Sequence, residues 1–301
     1  MPQWNCSCAN CRAARAGQIP RRTQSSVAVS DNQGRWFLIN ASPDLAAQIE
    51  ANTELQPSSK TSRNTPIAGV LLTNADLDHV LGLFSMREGG PLNIYSTPAT
   101  RAAVSSSLGV STILDAFSGT VWHELPTVEF APIAAGNSGT SDLMYRAIEL
   151  PGKPPAFARG TGDSGVPALP AQGFDEGAHS VAYQIKDQRT GGRLLVAPDV
   201  GGVTDELLDA LGDSDVVIFD GTFWSADELS ATKSNAPKAG EMGHVTIRDC
   251  SINLLRKTAA RHKVYIHINN TNPILAADSP ERAAVEAAGI TVGSDGLEFD
   301  L

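Results

Sequence analysis

The stretch PIAGVLLTNADLDHVLGL (66–83) runs from an unbroken apolar block into a turn dense in carboxylates, then into a second apolar segment. Its first part, PIAGVLLTN (66–74), is short, apolar and bounded by polar residues, and reads as a buried strand. HVLGLFSMREG (79–89) has helical spacing and stops at Gly89-Gly90-Pro91. Asp76, Asp78 and His79 therefore stand where a strand ends and a helix begins. Polar side chains at such a junction converge outside the end of a sheet, where α/β sites are generally built. An Asp beside a His offers a carboxylate oxygen and an imidazole nitrogen, both good ligands for zinc or non-haem iron. Asp76 on its own reads equally well as a helix cap.

Outward from this junction the same ending recurs. LLVAPDVGG (194–202) ends an apolar strand at Asp199, DVVIFDGTFW (215–224) at Asp220, and KVYIHINN (263–270) at His267. Each alone is an ordinary turn residue; together they point to one site. MGHVTI (242–247) presents His244 just before a helix expected from about Ile247 to Ala260, where a lone histidine is also a capping neighbour. His123, His179 and His262 lack such context and read as surface or structural.

The remaining elements follow from pattern. SSVAVSD (25–31) and RWFLINA (35–41) flank a turn and read as a hairpin; SPDLAAQIEAN (42–52) reads as a helix and LNIYSTP (92–98) as a strand. PATRAAVSSSLG (98–109) and SPERAAVEAAG (279–289) read as helices, and ITVGSDGLEFDL (290–301) as a short closing hairpin. The Pro- and Gly-dense segment 151–177 reads as a long surface loop. Strands joined partly by hairpins and partly by helices suggest an α/β fold of two mixed sheets with helices outside. This is an αββα four-layer sandwich, taken as one domain over 1–301.

Composition narrows the function. The formal net charge is −10 and no basic stretch is present, which argues against nucleic acid as a partner. No run of 18 apolar residues occurs, so no membrane span is expected, and no secretory signal is visible; a cytoplasmic protein is the expectation. Of 4 cysteines, Cys6, Cys8 and Cys11 fall inside WNCSCANC (4–11). This C-x-C-x₂-C cluster reads as a structural zinc staple over residues 4–12, with a fourth ligand from elsewhere. Cys250, inside an expected helix, reads as a buried hydrophobe.

At this point TNADLDHVLGL (73–83) resembles the T-H-x-H-x-D-H signature of the metallo-β-lactamase superfamily. More narrowly, the chain resembles the family of pyrroloquinoline quinone (PQQ) biosynthesis protein B. The matching stretches are PQWNCSCANC (2–11), RTQSSVAVS (22–30), NASPDL (40–45), DHVLGLFSMREG (78–89), TGGRLLVAP (190–198), DGTFW (220–224), EMGHVTI (241–247) and HINNTNPIL (267–275). The resemblance places Asp199 and His267 at the superfamily's later metal-binding Asp and last metal-binding His. The signature's first two histidines are Asn74 and Asp76 here, which removes the usual first zinc and argues against a dinuclear hydrolase. What the resemblance leaves is Asp78, His79, Asp199 and His267, similar to the ligands of mononuclear iron oxygenases.

The implied activity is iron- and dioxygen-dependent hydroxylation of the tyrosine ring of a peptide-derived Glu–Tyr intermediate in PQQ biosynthesis. Other PQQ pathway proteins are possible partners. Asp220 and His244 would stand behind the ligands, orienting them or moving protons, and Arg87 is a candidate for a carboxylate-rich substrate. The alternatives are a carrier or transport-linked binding protein for PQQ or its precursor, and a metal-dependent hydrolase. Two departures from pattern stand out. The family's glycine-rich strand ahead of PQWNC is not found, so a misassigned start or an altered sheet edge is expected. A related phosphodiesterase branch closes its cysteine staple with a His where this chain has Asn270, so the fourth zinc ligand stays open.

Overall fold

A computed structural model describes residues 1–134, 139–158, 177–231 and 235–301. The chain forms two compact units. The first comprises Ser25–Val181 with Asp187–Arg189, and the second Met1–Gln24, Ala182–Lys186 and Thr190–Leu301.

In the first unit, β1 (Val27–Ser30) and β2 (Trp36–Ile39) form the expected antiparallel hairpin. Asp31 closes it: its carboxylate accepts from the Gln33 and Arg35 backbone N–H groups and from Arg35 Nε at 2.6 Å. β3 (Ile67–Leu71), β4 (Leu92–Tyr95) and β5 (Thr120–His123) continue the sheet in parallel, in the order β1-β2-β3-β4-β5. Parallel pairing demands crossovers, and the apolar faces of those crossovers build the core. Leu38, Val70 and Ile94 from the strands pack with Leu45, Val80, Leu83, Val104 and Leu114 from the connections. β6 (Ala131–Ala134) and β7 (Thr140–Leu150) form a further antiparallel pair.

The second unit repeats the pairing pattern, though the sequence shows no repeat. β8 (Ser180–Asp187) runs antiparallel to β9 (Arg193–Ala197) through its residues 183–186. β10 (Val216–Asp220), β11 (His262–Ile266) and β12 (Thr291–Val292) then add in parallel. Two of the helices between them start on side-chain caps. Thr204 accepts from the Leu207 N–H at the head of Asp205–Gly212, where Asp205 and Glu206 also favour the helix dipole. Ser279 does the same for Pro280–Ala287, with Pro at its first position.

Four expectations are corrected. The helix read over 79–89 is a single α turn, Leu77–Val80, followed by a 3₁₀ stretch, Leu81–Met86. Gly82 there lies against the Ala41 and Ser42 carbonyls with no room for a Cβ, and this close approach tightens the coil. The segment read as one helix over 98–109 splits into α Pro98–Ala102 and π Ala103–Ser107. That from Ile247 to Ala260 splits into π Ile247–Ser251 and α Ile252–Arg256. The closing hairpin over 290–301 does not form: β12 pairs in parallel with Val264 and Tyr265 of β11 instead. Most of the loop read over 151–177 lies outside the described residues.

Candidate metal centres

The second unit gathers its polar residues at the C-terminal ends of β9, β10 and β11. Asp220, the last residue of β10, has no solvent exposure, so both carboxylate oxygens need partners. Oδ1 accepts from the Thr222 backbone N–H at 2.9 Å and from Thr222 Oγ1 at 2.6 Å. Oδ2 accepts from the Val200 N–H at 2.9 Å and faces His244 Nδ1 at 2.8 Å. Burial works to raise this carboxyl, but His244 and these bonds outweigh it and hold Asp220 below the usual carboxylate range. Burial likewise works against charge on His244, yet Asp220 holds that imidazole above its ordinary value.

The chain of bonds reaches His267, and it sets a tautomer. Thr222 has one hydroxyl proton, and Asp220 Oδ1 accepts it. Thr222 Oγ1, 2.8 Å from His267 Nδ1, is then left to accept from Nδ1–H. In neutral His267 the lone pair is thereby placed on Nε2. His244, bonded through Nδ1 to Asp220, also turns Nε2 outward, 3.8 Å from Asp199 Oδ1. The two rings stack at 5.5 Å. Asp199, His244 and His267 each offer a ligand atom, all within 4.8 Å of one another. His267 occupies the left-handed region at φ 54°, rare for a residue with a Cβ and a mark of local strain. The turn before Thr222 needs glycine: a Cβ on Gly221 would stand 2.8 Å from Tyr265 Cβ and 2.9 Å from the Ile266 carbonyl.

The first unit holds Asp78 and His79 directly after β3. His79 is fully buried. Its Nδ1 faces Asn40 Nδ2 at 3.1 Å and Thr73 Oγ1 at 3.3 Å, while Nε2 lies 3.9 Å from Asp78 Oδ2. Asn40 is itself left-handed at φ 65°, and its Oδ1 accepts from the Thr73 N–H at 2.9 Å. Asp76 stands at the N-cap of Leu77–Val80, with no side-chain cap hydrogen bond.

The cysteines converge as the spacing suggests: the Sγ atoms of Cys6, Cys8 and Cys11 form a group with all ligand atoms within 4.8 Å. Cys8 stands at the N-cap of helix Ala9–Arg15 and Cys11 one turn inside it. Burial opposes a thiolate at Cys8, but the Cys11 backbone and the Asn270 amide outweigh it and lower that thiol; burial pushes Cys11 up.

Of the other candidates, His123 is structural, stacked on Tyr95 at 4.4 Å and held at Nε2 by Asn93. His262 rests on Phe299 at the surface, and half-buried Cys250 falls in the π stretch. Arg87 lies over the Phe117 ring and beside Glu88. The sequence reading missed Thr222, because a threonine in a turn after a strand carries no signal of its own. His244, expected behind the ligands, also offers a ligand atom to the group with Asp199 and His267.

A profile described as the Beta-lactamase superfamily domain matches residues 35–268. A coenzyme PQQ synthesis protein B of Ectopseudomonas mendocina (strain ymp) is 38% identical over an alignment of 304 residues that covers 100% of this chain and 95% of the relative. One from Rhodopseudomonas palustris is 37% identical over 306 residues, covering 100% and 96%. Among solved structures, Zn(2+)-bound PqqB from Methylobacterium extorquens matches with a TM-score of 0.84 and 36% identity, covering 100% of this chain and 95% of that one.

Proposed function

Because this chain belongs to the coenzyme PQQ synthesis protein B family of the metallo-β-lactamase superfamily, with the α/β fold read from its sequence, we propose that it hydroxylates the tyrosine ring of a peptide-derived Glu–Tyr precursor of PQQ, using one iron ion. The observation that carries the reading is the Asp199–His244–His267 group: two imidazoles and a carboxylate, the donor set favoured by non-haem iron. It fits the metal because Thr222 and Asp220 leave Nε2 as the outward atom on both rings. Iron held there would supply activation of dioxygen. Asp78 and His79 are assigned to the same ion on the sequence signature alone. The reading takes residues 1–301 as one functional domain working in the cytoplasm.

The protein's own residues then have defined tasks. Thr222 and Asp220 fix the ring of His267. His244 keeps a proton on Nδ1 against Asp220, which leaves Nε2 beside Asp199 as its donor atom. Asn40 and Thr73 hold Nδ1 of His79.

The zinc named for the Methylobacterium extorquens protein favours a second reading, in which a redox-inert metal serves a carrier of the precursor. The discriminating experiment loads the protein anaerobically with iron, measures metal content, and follows oxygen uptake with a tyrosine-containing precursor. We expect uptake in the iron-loaded protein, lost in His267→Ala and His79→Ala. One bound iron per chain without substrate-dependent oxygen uptake would overturn the oxygenase reading and leave the carrier.

A further inference from the structure

The cysteine group is one ligand short of the tetrahedron that structural zinc adopts. We infer that Asn270 closes it through its side-chain amide oxygen, making a Cys₃Asn site that ties the N-terminal helix to the loop carrying His267. The inference rests on reading Cys6, Cys8 and Cys11 as a zinc staple.

Asn270 Nδ2 donates to two of the three sulfurs, 3.2 Å from Cys6 Sγ and 3.4 Å from Cys8 Sγ. With usual Zn–S and Zn–O bond lengths at tetrahedral angles, a fourth oxygen donor stands about 3.5 Å from each sulfur. The side chain is therefore already at ligand distance. Its oxygen and nitrogen differ little in shape, so rotating the amide brings Oδ1 to the same place without moving the chain.

The competing donor on the same residue is less suited. The Asn270 main-chain oxygen is 3.4 Å from Cys8 Sγ and already accepts from Asn10 Nδ2 at 3.0 Å. Asn10 is buried and also donates to the Asn272 carbonyl at 2.9 Å, and Asn272 in turn donates to the Gly221 carbonyl. This amide ladder holds the 270–272 loop on helix Ala9–Arg15 by main-chain contacts, so replacing the Asn270 side chain leaves the docking intact. A neutral amide also suits the charge balance. Three thiolates already exceed the charge of one zinc ion, and a fourth anion is not needed. The helix's basic residues, Arg12 and Arg15, donate to the Ser7 and Cys6 carbonyls around the same turn.

Release of zinc to a chelator tests this, on wild type, Asn270→Ala, Asn270→Asp and Cys8→Ala, with cobalt substitution as the spectroscopic check. The sulfur-to-cobalt band reports this site alone, since the Asp199–His244–His267 group has no sulfur. A liganding amide predicts release at least about tenfold faster from Asn270→Ala. It also predicts that Asn270→Asp holds zinc as tightly as wild type or tighter, with shifted cobalt ligand-field bands. Release from Asn270→Ala at the wild-type rate would overturn the inference, as the main chain or water would then close the site. Faster release from Asn270→Asp would also overturn it, because that is the outcome if the amide only donates N–H to sulfur. Should wild type hold no cysteine-bound metal, with Cys8→Ala indistinguishable from it, the staple reading fails and takes this inference with it.

Discussion

Thr222→Val replaces one hydroxyl by a methyl group of similar size and breaks the link between Asp220 and His267. The lost bond to a buried, charged carboxylate is worth about 1.5–3 kcal/mol. The lost partner of His267 Nδ1 is worth less, about 0.5–1.5 kcal/mol, because that ring keeps 14% exposure and water can reach it. The backbone N–H of residue 222 still serves Asp220 Oδ1. The expected loss is therefore about 2–4.5 kcal/mol, read by urea denaturation of the metal-free protein. A second effect is separate. Without the Thr222 acceptor the neutral ring is no longer held in its Nδ1–H form, and the Nε2–H tautomer cannot bind metal through Nε2. Metal affinity in a competition titration should fall about 10–100-fold. Thr222→Ser should keep both properties. A valine variant within about 0.5 kcal/mol of wild type and with unchanged metal affinity would refute the tautomer assignment.

Two further outcomes follow from packing and charge. Gly82→Ala, with its Cβ forced onto the Ala41 carbonyl at 2.8 Å, should cost about 3 kcal/mol or more in thermal or urea denaturation of the first unit; wild-type stability would show that the coil there can open. Asp31 is depressed: burial opposes its charge, but Arg35, Ser141 and Gln33 together outweigh it. Its contribution is then present above the ordinary carboxylate pKa and lost as pH falls through the depressed value, so Asp31→Asn should be less stable near neutrality and flatter in acid. Parallel stability–pH curves for the two proteins would sink that account.

The parts of the fold visible in the sequence are those whose signal is local. The apolar runs that became β3, β9, β10 and β11 need only their own composition to be read, and each is followed by, or ends on, an Asp or His. The C-terminal segment was misread because its partner is not local. ITVGSDGLEF offers a turn and two apolar flanks, but Val264 and Tyr265 present a free parallel edge that the sequence does not announce. The helix after Asp78 was overextended because helical spacing says nothing of the Ala41 and Ser42 carbonyls, which only the fold brings against Gly82. Asp220 and His267 are read from position, each closing an apolar run. The partners of His244 and Asn270, by contrast, lie more than twenty residues away, and the sequence does not announce them.

Two side-chain-bearing residues hold left-handed backbones immediately after a strand, Asn40 behind β2 and His267 behind β11. Such positions complicate alanine scanning. Alanine there removes the functional group but keeps the unfavourable backbone, so its effects mix two causes. Glycine removes the same group and relaxes the backbone, at the expense of a looser unfolded chain. Comparing glycine with alanine at each site therefore separates what the imidazole or amide contributes from what its uncomfortable perch costs. The protein carries, in effect, two built-in controls for distinguishing ligand loss from misfolding.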